Sequence, residues 1–197
     1  MELLDVERSV VLVIDLQGKL MDMIERPGLV TAATVRLLKL AGLFGVPVVM
    51  TEQYARGLGG THPDVRAAFD ALAVPKRTLD KTAFGCCGDP TFEGLLAEVR
   101  PGIAPSRRQV VVAGIEAHVC VLQTVLELLR AGNHVHLCWE CVSGRGREYV
   151  GRAMDRMVQA GATVTNHESV GFEWARHKDH PAFKAMSNLF KEGQLTG

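Results

Sequence analysis

Little in this 197-residue chain ties it to a nucleic acid, a membrane or an oxidising compartment. Lysine plus arginine and aspartate plus glutamate number 22 each, so there is no basic excess to neutralise phosphates. No block of like charges marks a disordered tail. The longest apolar runs are strand-sized, short of the roughly 20 residues a helix needs to cross a bilayer. The start, MELLDVERSV, lacks a basic-then-apolar leader pattern. Five cysteines are an odd number in a chain large enough to build a core without staples, which predicts free thiols and a cytoplasmic setting. Nucleotide loops are missing too. GLGG at 57–60 and GRG at 144–146 do not match G-x-G-x-x-G, and no Walker A motif is present, so neither NAD nor ATP is expected.

What is present is a repeating apolar pattern. With 47% hydrophobic residues, one domain over 1–197 is expected. Short runs rich in valine and leucine fall at 10–14, 46–50, 76–79, 109–113, 134–138 and 162–164. They are nearly continuous rather than alternating, which predicts strands buried on both faces, as in a parallel sheet. Helical patterns lie between them at 29–44, 63–72, 90–99, 117–131 and 147–160, and Gly45, Gly132 and Gly161 stand where helices should stop. The alternation predicts an α/β fold of Rossmann-like type. It is a three-layer α/β/α sandwich around a six-stranded, mainly parallel sheet. The tail at about 181–193 reads as an amphipathic helix with Phe183, Met186, Leu189 and Phe190 on one face.

Three polar residues fall where strands should end, and ligands of open α/β sheets bind beyond those ends. Asp15 closes VVLVID, Lys81 closes KRTLDK, and Cys120 follows VVVAGI where a helix begins. Each has a plain reading: Asp15 as a turn cap, Lys81 as a solvated loop residue, Cys120 as a small buried hydrophobe. Together they suggest a nucleophile with its helpers, because a thiol at a helix N-terminus feels a dipole that favours the thiolate. On that reading Cys120 alkylates faster than Cys138 near neutral pH, and Asp15→Asn or Lys81→Ala slows the reaction. Gln17, Tyr54, Phe84 and Ile115 are candidate substrate neighbours. His118 sits two positions from Cys120 on a helix, so it should face elsewhere. Cys86 and Cys87 are adjacent rather than spaced C-x-x-C, so no thioredoxin-like chemistry is expected, and they follow Lys81 closely enough to reach a pocket rim. Cys138 ends a strand and Cys141 lies in the loop after it, both read as core or neutral.

The segments VVLVIDLQGKL, LDKTAFG, VVVAGIEAHVCVLQT and CVSGRGREYVGRAMDRMVQAGATVTNHESVGFEW resemble the isochorismatase-like cysteine hydrolase family, which includes nicotinamidases and carbamoylsarcosine amidohydrolase-like enzymes. The resemblance is greatest to the branch without a metal motif. It implies a triad of Asp15, Lys81 and Cys120, an oxyanion hole from the backbone N–H groups of Glu116 and Cys120, and a cis peptide between Ile115 and Glu116. It also implies a homo-oligomer, dimer or tetramer. Metal-bearing members carry D-x-H…H after the second strand. Here Thr51, Glu52 and Gln53 fill that stretch and only His62 is a plausible ligand, so no metal is expected. The resulting expectation is a cofactor-free hydrolase of a small amide or related carbonyl compound. A non-catalytic interaction protein and a reactive-thiol redox sensor are the alternatives.

Overall fold

The computed structural model describes residues 2–192. In chain order the elements are β1 (Ser9–Ile14), α1 (Gly18–Met21), α2 (Pro27–Phe44), β2 (Val48–Gln53), α3 (Ala55–Leu58), α4 (Pro63–Asp70), β3 (Lys76–Lys81), α5 (Phe92–Val99), β4 (Gln109–Gly114), α6 (Leu122–Arg130), β5 (His134–Val142), α7 (Arg147–Gln159), β6 (Thr163–Thr165), α8 (His167–Ala175) and α9 (Phe183–Lys191). The six strands form one sheet in the order β3-β2-β1-β4-β5-β6, with every neighbouring pair parallel.

Successive residues of a strand point to opposite faces, so β1 divides between two cores. Val11 and Val13 join Leu37 of α2, Phe69 of α4, Val170 of α8 and Met186 of α9. Val10, Leu12 and Ile14 join Leu96 of α5, Val125 of α6 and Met157 of α7. Burial on both faces is the reason β1 reads as an unbroken apolar run.

Several boundaries differ from the apolar runs. β2 and β3 extend to Gln53 and Lys81, because Glu52 pairs with Asp80 and Gln53 with Lys81 at one end of the sheet. β3 is an edge strand with polar residues half in solvent, which an apolar-run reading truncates. β5 continues through Cys141 to Val142 after a register shift against β4, so Cys141 is a buried strand residue and not a loop residue. The helix α8 has no apolar-run signal; the Asn166 side chain caps it by accepting from the Ser169 N–H at 2.8 Å. The tail helix α9 covers Phe183–Lys191 with Met186 and Leu189 buried, and the expected end at 193 lies outside the described residues. The 18-residue α2 is long and apolar enough to cross a membrane by length and composition, contrary to the strand-sized estimate. Val30, Ala33, Leu37 and Leu40 bury it in the core.

The chain leaves β1 for β2 on one side and returns to β4 on the other, so the strand order reverses between β1 and β4. A crevice opens beyond the carboxyl ends of the strands at such a point. Ile14 is paired with both Thr51 of β2 and Gly114 of β4, which brings the end of β1 level with its two neighbours.

Candidate active site

Asp15 follows directly on β1. Its N–H still donates to Thr51 O at 3.1 Å, and its backbone then turns with a φ of +52°. Aspartate tolerates this left-handed conformation better than most residues. The carboxylate is wholly buried and doubly held: Thr51 Oγ1 donates to Oδ1 at 2.7 Å, and Lys81 Nζ donates to Oδ2 at 2.7 Å. The Cys120 thiol lies within reach of the same carboxylate's charge, which raises its pKa. Carboxylate, ammonium and sulfur, far apart in sequence, therefore meet at the switch point.

Lys81 is 1% exposed. Besides Asp15, its ammonium donates to Gln53 Oε1 at 2.7 Å, Phe84 O at 3.0 Å and Ala83 O at 3.2 Å. Three N–H donors thus face four acceptors, leaving none directed at a substrate. Gln53 is in turn fixed by its Nε2 donating to Thr82 O at 2.9 Å.

Cys120 sits in a wide turn ahead of α6, where the Val121 N–H reaches back five residues to Glu116 O at 3.3 Å. The Ile115–Glu116 peptide is cis. Cys120 is 6% exposed while Asp15 is fully enclosed, so Cys120 is the residue of the cluster with most access to solvent. Burial first, and then the negative charge of Asp15, push the thiol up to about 12, with Lys81 opposing. This reverses the helix-dipole expectation. Desolvation and a nearby carboxylate outweigh a partial charge at a helix end, so Cys120 rests as a neutral thiol. Its alkylation rate should climb about tenfold per pH unit from neutral into the alkaline range. A rate that levels off near neutral pH would contradict the buried, Asp15-facing environment.

The candidate substrate neighbours divide. Gln17 is buried, with Nε2 donating to Gly59 O at 2.6 Å and Gln53 O at 3.1 Å, and Oε1 accepting from the Gln53 N–H at 2.7 Å. All of this ties loop to strand, so the Gln17 amide is taken up by backbone groups. Ile115 is wholly buried and its side chain belongs to the α2-side core. Tyr54 and Phe84 are exposed near the strand ends; the Tyr54 N–H donates to Lys81 O at 2.8 Å, and Phe84 contributes the carbonyl noted above. His118 stacks on Tyr149 with ring centroids 5.0 Å apart.

Other residues around the site are not singled out by an apolar-run reading. Thr51 and Gln53 hold Asp15 and Lys81, which is what the stretch lacking D-x-H does in this chain. Glu52 accepts from Thr61, and His62 accepts from the Asp64 N–H at the start of α4. Among the described residues no three His, Cys, Asp or Glu side chains converge as metal ligands. Arg145, from the GRG stretch, grips the Glu116 carboxylate through Nη2 and through Nε at 2.9 Å, holding its pKa below the usual carboxylate range. Cys86 is wholly buried, and burial pushes it up to about 11. Its signal was present in LDKTAFGCC, close behind Lys81, but nothing in the spacing shows that the loop folds inward.

The model of the isochorismatase domain matches residues 9–169. Isochorismatase domain-containing protein 1 of Salmo salar is 35% identical over 177 residues, 90% of this chain and 59% of that protein. The chain spans about three fifths of the length of the first curated relatives it matches. Among solved structures, the MAR1 ribonuclease of Caenorhabditis elegans is 33% identical with a TM-score of 0.85, covering 98% of this chain and 94% of that one. The YcaC gene product of Escherichia coli, described as an octameric hydrolase of unknown specificity, is 22% identical with a TM-score of 0.82 over 96% and 92%, a likeness of fold. A domain match reaching from β1 into α8, across every residue of the buried cluster, makes the chain a member of the isochorismatase family.

Proposed function

We propose that the chain is a cysteine-dependent hydrolase of a small, uncharged amide or related carbonyl compound. The observation carrying this reading is the fully buried Asp15–Lys81 pair at the carboxyl end of the sheet, whose carboxylate charge acts on the Cys120 thiol. Because the thiol rests protonated, Asp15 takes its proton as the sulfur attacks the carbonyl carbon. The oxyanion is received by the N–H groups of Glu116 and Cys120, donors worth about 3–4 kcal/mol each where measured. Asp15 returns the proton to the leaving amine or alcohol as the carbon–heteroatom bond breaks. A thioester remains, and water, deprotonated by Asp15, cleaves it to the acid and free thiol. No cofactor takes part in these steps.

The charge pattern favours an uncharged substrate. Every Lys81 donor has a protein acceptor, and Arg145 is paired with Glu116. A redox sensor is disfavoured because sensing thiols rest as exposed thiolates, and Cys120 is neither exposed nor acidic. The free cysteines fit a reducing, cytoplasmic setting. A homo-oligomer, dimer or tetramer, is our expectation for the assembly, to be read by light scattering.

The test is a panel of small amides and esters with intact-protein mass spectrometry. An acyl adduct on Cys120 that vanishes in Cys120→Ala, together with loss of turnover, supports the reading. Hydrolysis that persists in Cys120→Ala removes it. RNA belongs in the panel because of the ribonuclease named above. A phosphodiester forms no acyl adduct, so RNA cleavage with no amide turnover replaces the proposal.

A further inference from the structure

Thr124 lies one helical turn after Cys120, on the same side of α6, and is wholly buried. Its hydroxyl makes two hydrogen bonds. Oγ1 donates to the Cys120 carbonyl at 2.7 Å and accepts from the Cys86 N–H at 2.9 Å. A hydroxyl has one hydrogen, so these partners fix its direction. The first bond holds the backbone of the nucleophile. The second holds the loop after β3, whose Ala83 and Phe84 carbonyls receive the Lys81 ammonium. At its other end Cys86 reaches Thr51 Oγ1 through a long sulfur contact of 4.0 Å, and Thr51 donates to Asp15. The chain of contacts thus runs from the Cys120 backbone through Thr124, Cys86 and Thr51 to the Asp15 carboxylate.

We propose that Thr124 is a positioning residue for the nucleophile, tying the Cys120 turn to the loop that seats Lys81 so that sulfur, carboxylate and ammonium keep one geometry. It acts through Cys120 and Cys86 and touches no reacting atom. The proposal rests on Cys120 being the nucleophile.

Thr124→Val keeps the shape and deletes the hydroxyl; Thr124→Ser keeps the hydroxyl and deletes a methyl. Loosening the tie lets the sulfur move away from Asp15, whose negative charge helps to raise its pKa. Alkylation of Cys120 at a fixed pH near 8 should therefore quicken about five- to tenfold in Thr124→Val, while kcat for any amide found falls by a similar factor with KM little changed. Thr124→Ser should restore both. A purely packing role moves neither in opposite directions and is not rescued by serine. The proposal is overturned if Thr124→Val alkylates and turns over like the parent, or if Thr124→Ser behaves like Thr124→Val. Thermal melts confirm that each variant is folded. If no amide is turned over by the parent, the hydrolase reading fails, and the alkylation rates with their pH dependence still decide the role of Thr124.

Discussion

Asp15→Asn should slow turnover and quicken alkylation of Cys120 in the same protein. The residues alone suggest that both fall together, since a base is being removed. The geometry separates them. Asp15 acts on the sulfur in two ways: it accepts the thiol proton during attack, and at rest its negative charge helps to hold the thiol protonated. Asparagine keeps the shape and can still accept from Lys81, but it carries no charge and takes no proton. With Lys81 left as the uncompensated neighbour, the Cys120 pKa should fall by about 1–2 units, raising the thiolate fraction near neutral pH about 10- to 100-fold. Turnover should drop about 10²- to 10⁴-fold, the usual range for loss of a general acid–base. Lys81→Met supplies the contrast. It leaves the carboxylate unpaired beside the sulfur and should slow alkylation. Iodoacetamide rates with peptide mapping at Cys120, measured on folded protein, give the answer. If Asp15→Asn slows alkylation in step with turnover, the thiol is not held neutral by Asp15 and the resting-state picture is wrong.

How much of this was readable from sequence depends on which force placed each residue. The strands and the layers follow from apolar runs, because burial on both faces of β1 and β4 leaves little choice of residue, whereas the strand order is set by crossovers that no run reveals. Asp15, Lys81 and Cys120 stand out because polar groups at the ends of such runs are conspicuous. Thr51, Gln53 and Thr124 do not, since a threonine or glutamine at a strand end or on a helix is commonplace until its partner is known. The partners of Gln17 are hidden in the same way. Gln17 follows Asp15 closely, but its amide meets backbone groups of Gln53 and Gly59 that only the fold brings near. The sign of the Cys120 pKa shift was equally out of reach. A helix end is visible in sequence, whereas enclosure and a nearby carboxylate are properties of packing.

Gly114→Ala should be the most damaging single substitution of a small residue, and it links the sequence motif to the site. Gly114 closes β4 and begins GIEAHVC, opposite Ile14 in the β1 ladder. Its φ is +139°, a backbone region side chains rarely adopt. A Cβ there would lie 2.3 Å from Ile14 O and 2.6 Å from Ile14 Cβ, atoms of a central strand that cannot swing aside. Strain of about 1–3 kcal/mol for the backbone and about 1–3 kcal/mol for the clash add to a large part of the 5–15 kcal/mol typical of domain stability. Relief requires β1 and β4 to part at their ends, and Asp15 follows one while Ile115 and Glu116 follow the other. The variant should therefore lose about 2–6 kcal/mol in urea unfolding. In whatever fraction stays folded, Cys120 should alkylate more like a free thiol, because its carboxylate has moved off. Gly94→Ala in α5 is the matched control: its added Cβ meets nothing within 4 Å, so a gain of about 0.5–1 kcal/mol is expected. Equal unfolding midpoints for parent and Gly114→Ala, with unchanged Cys120 alkylation, would show that the close approach of these two strands does not hold the site together.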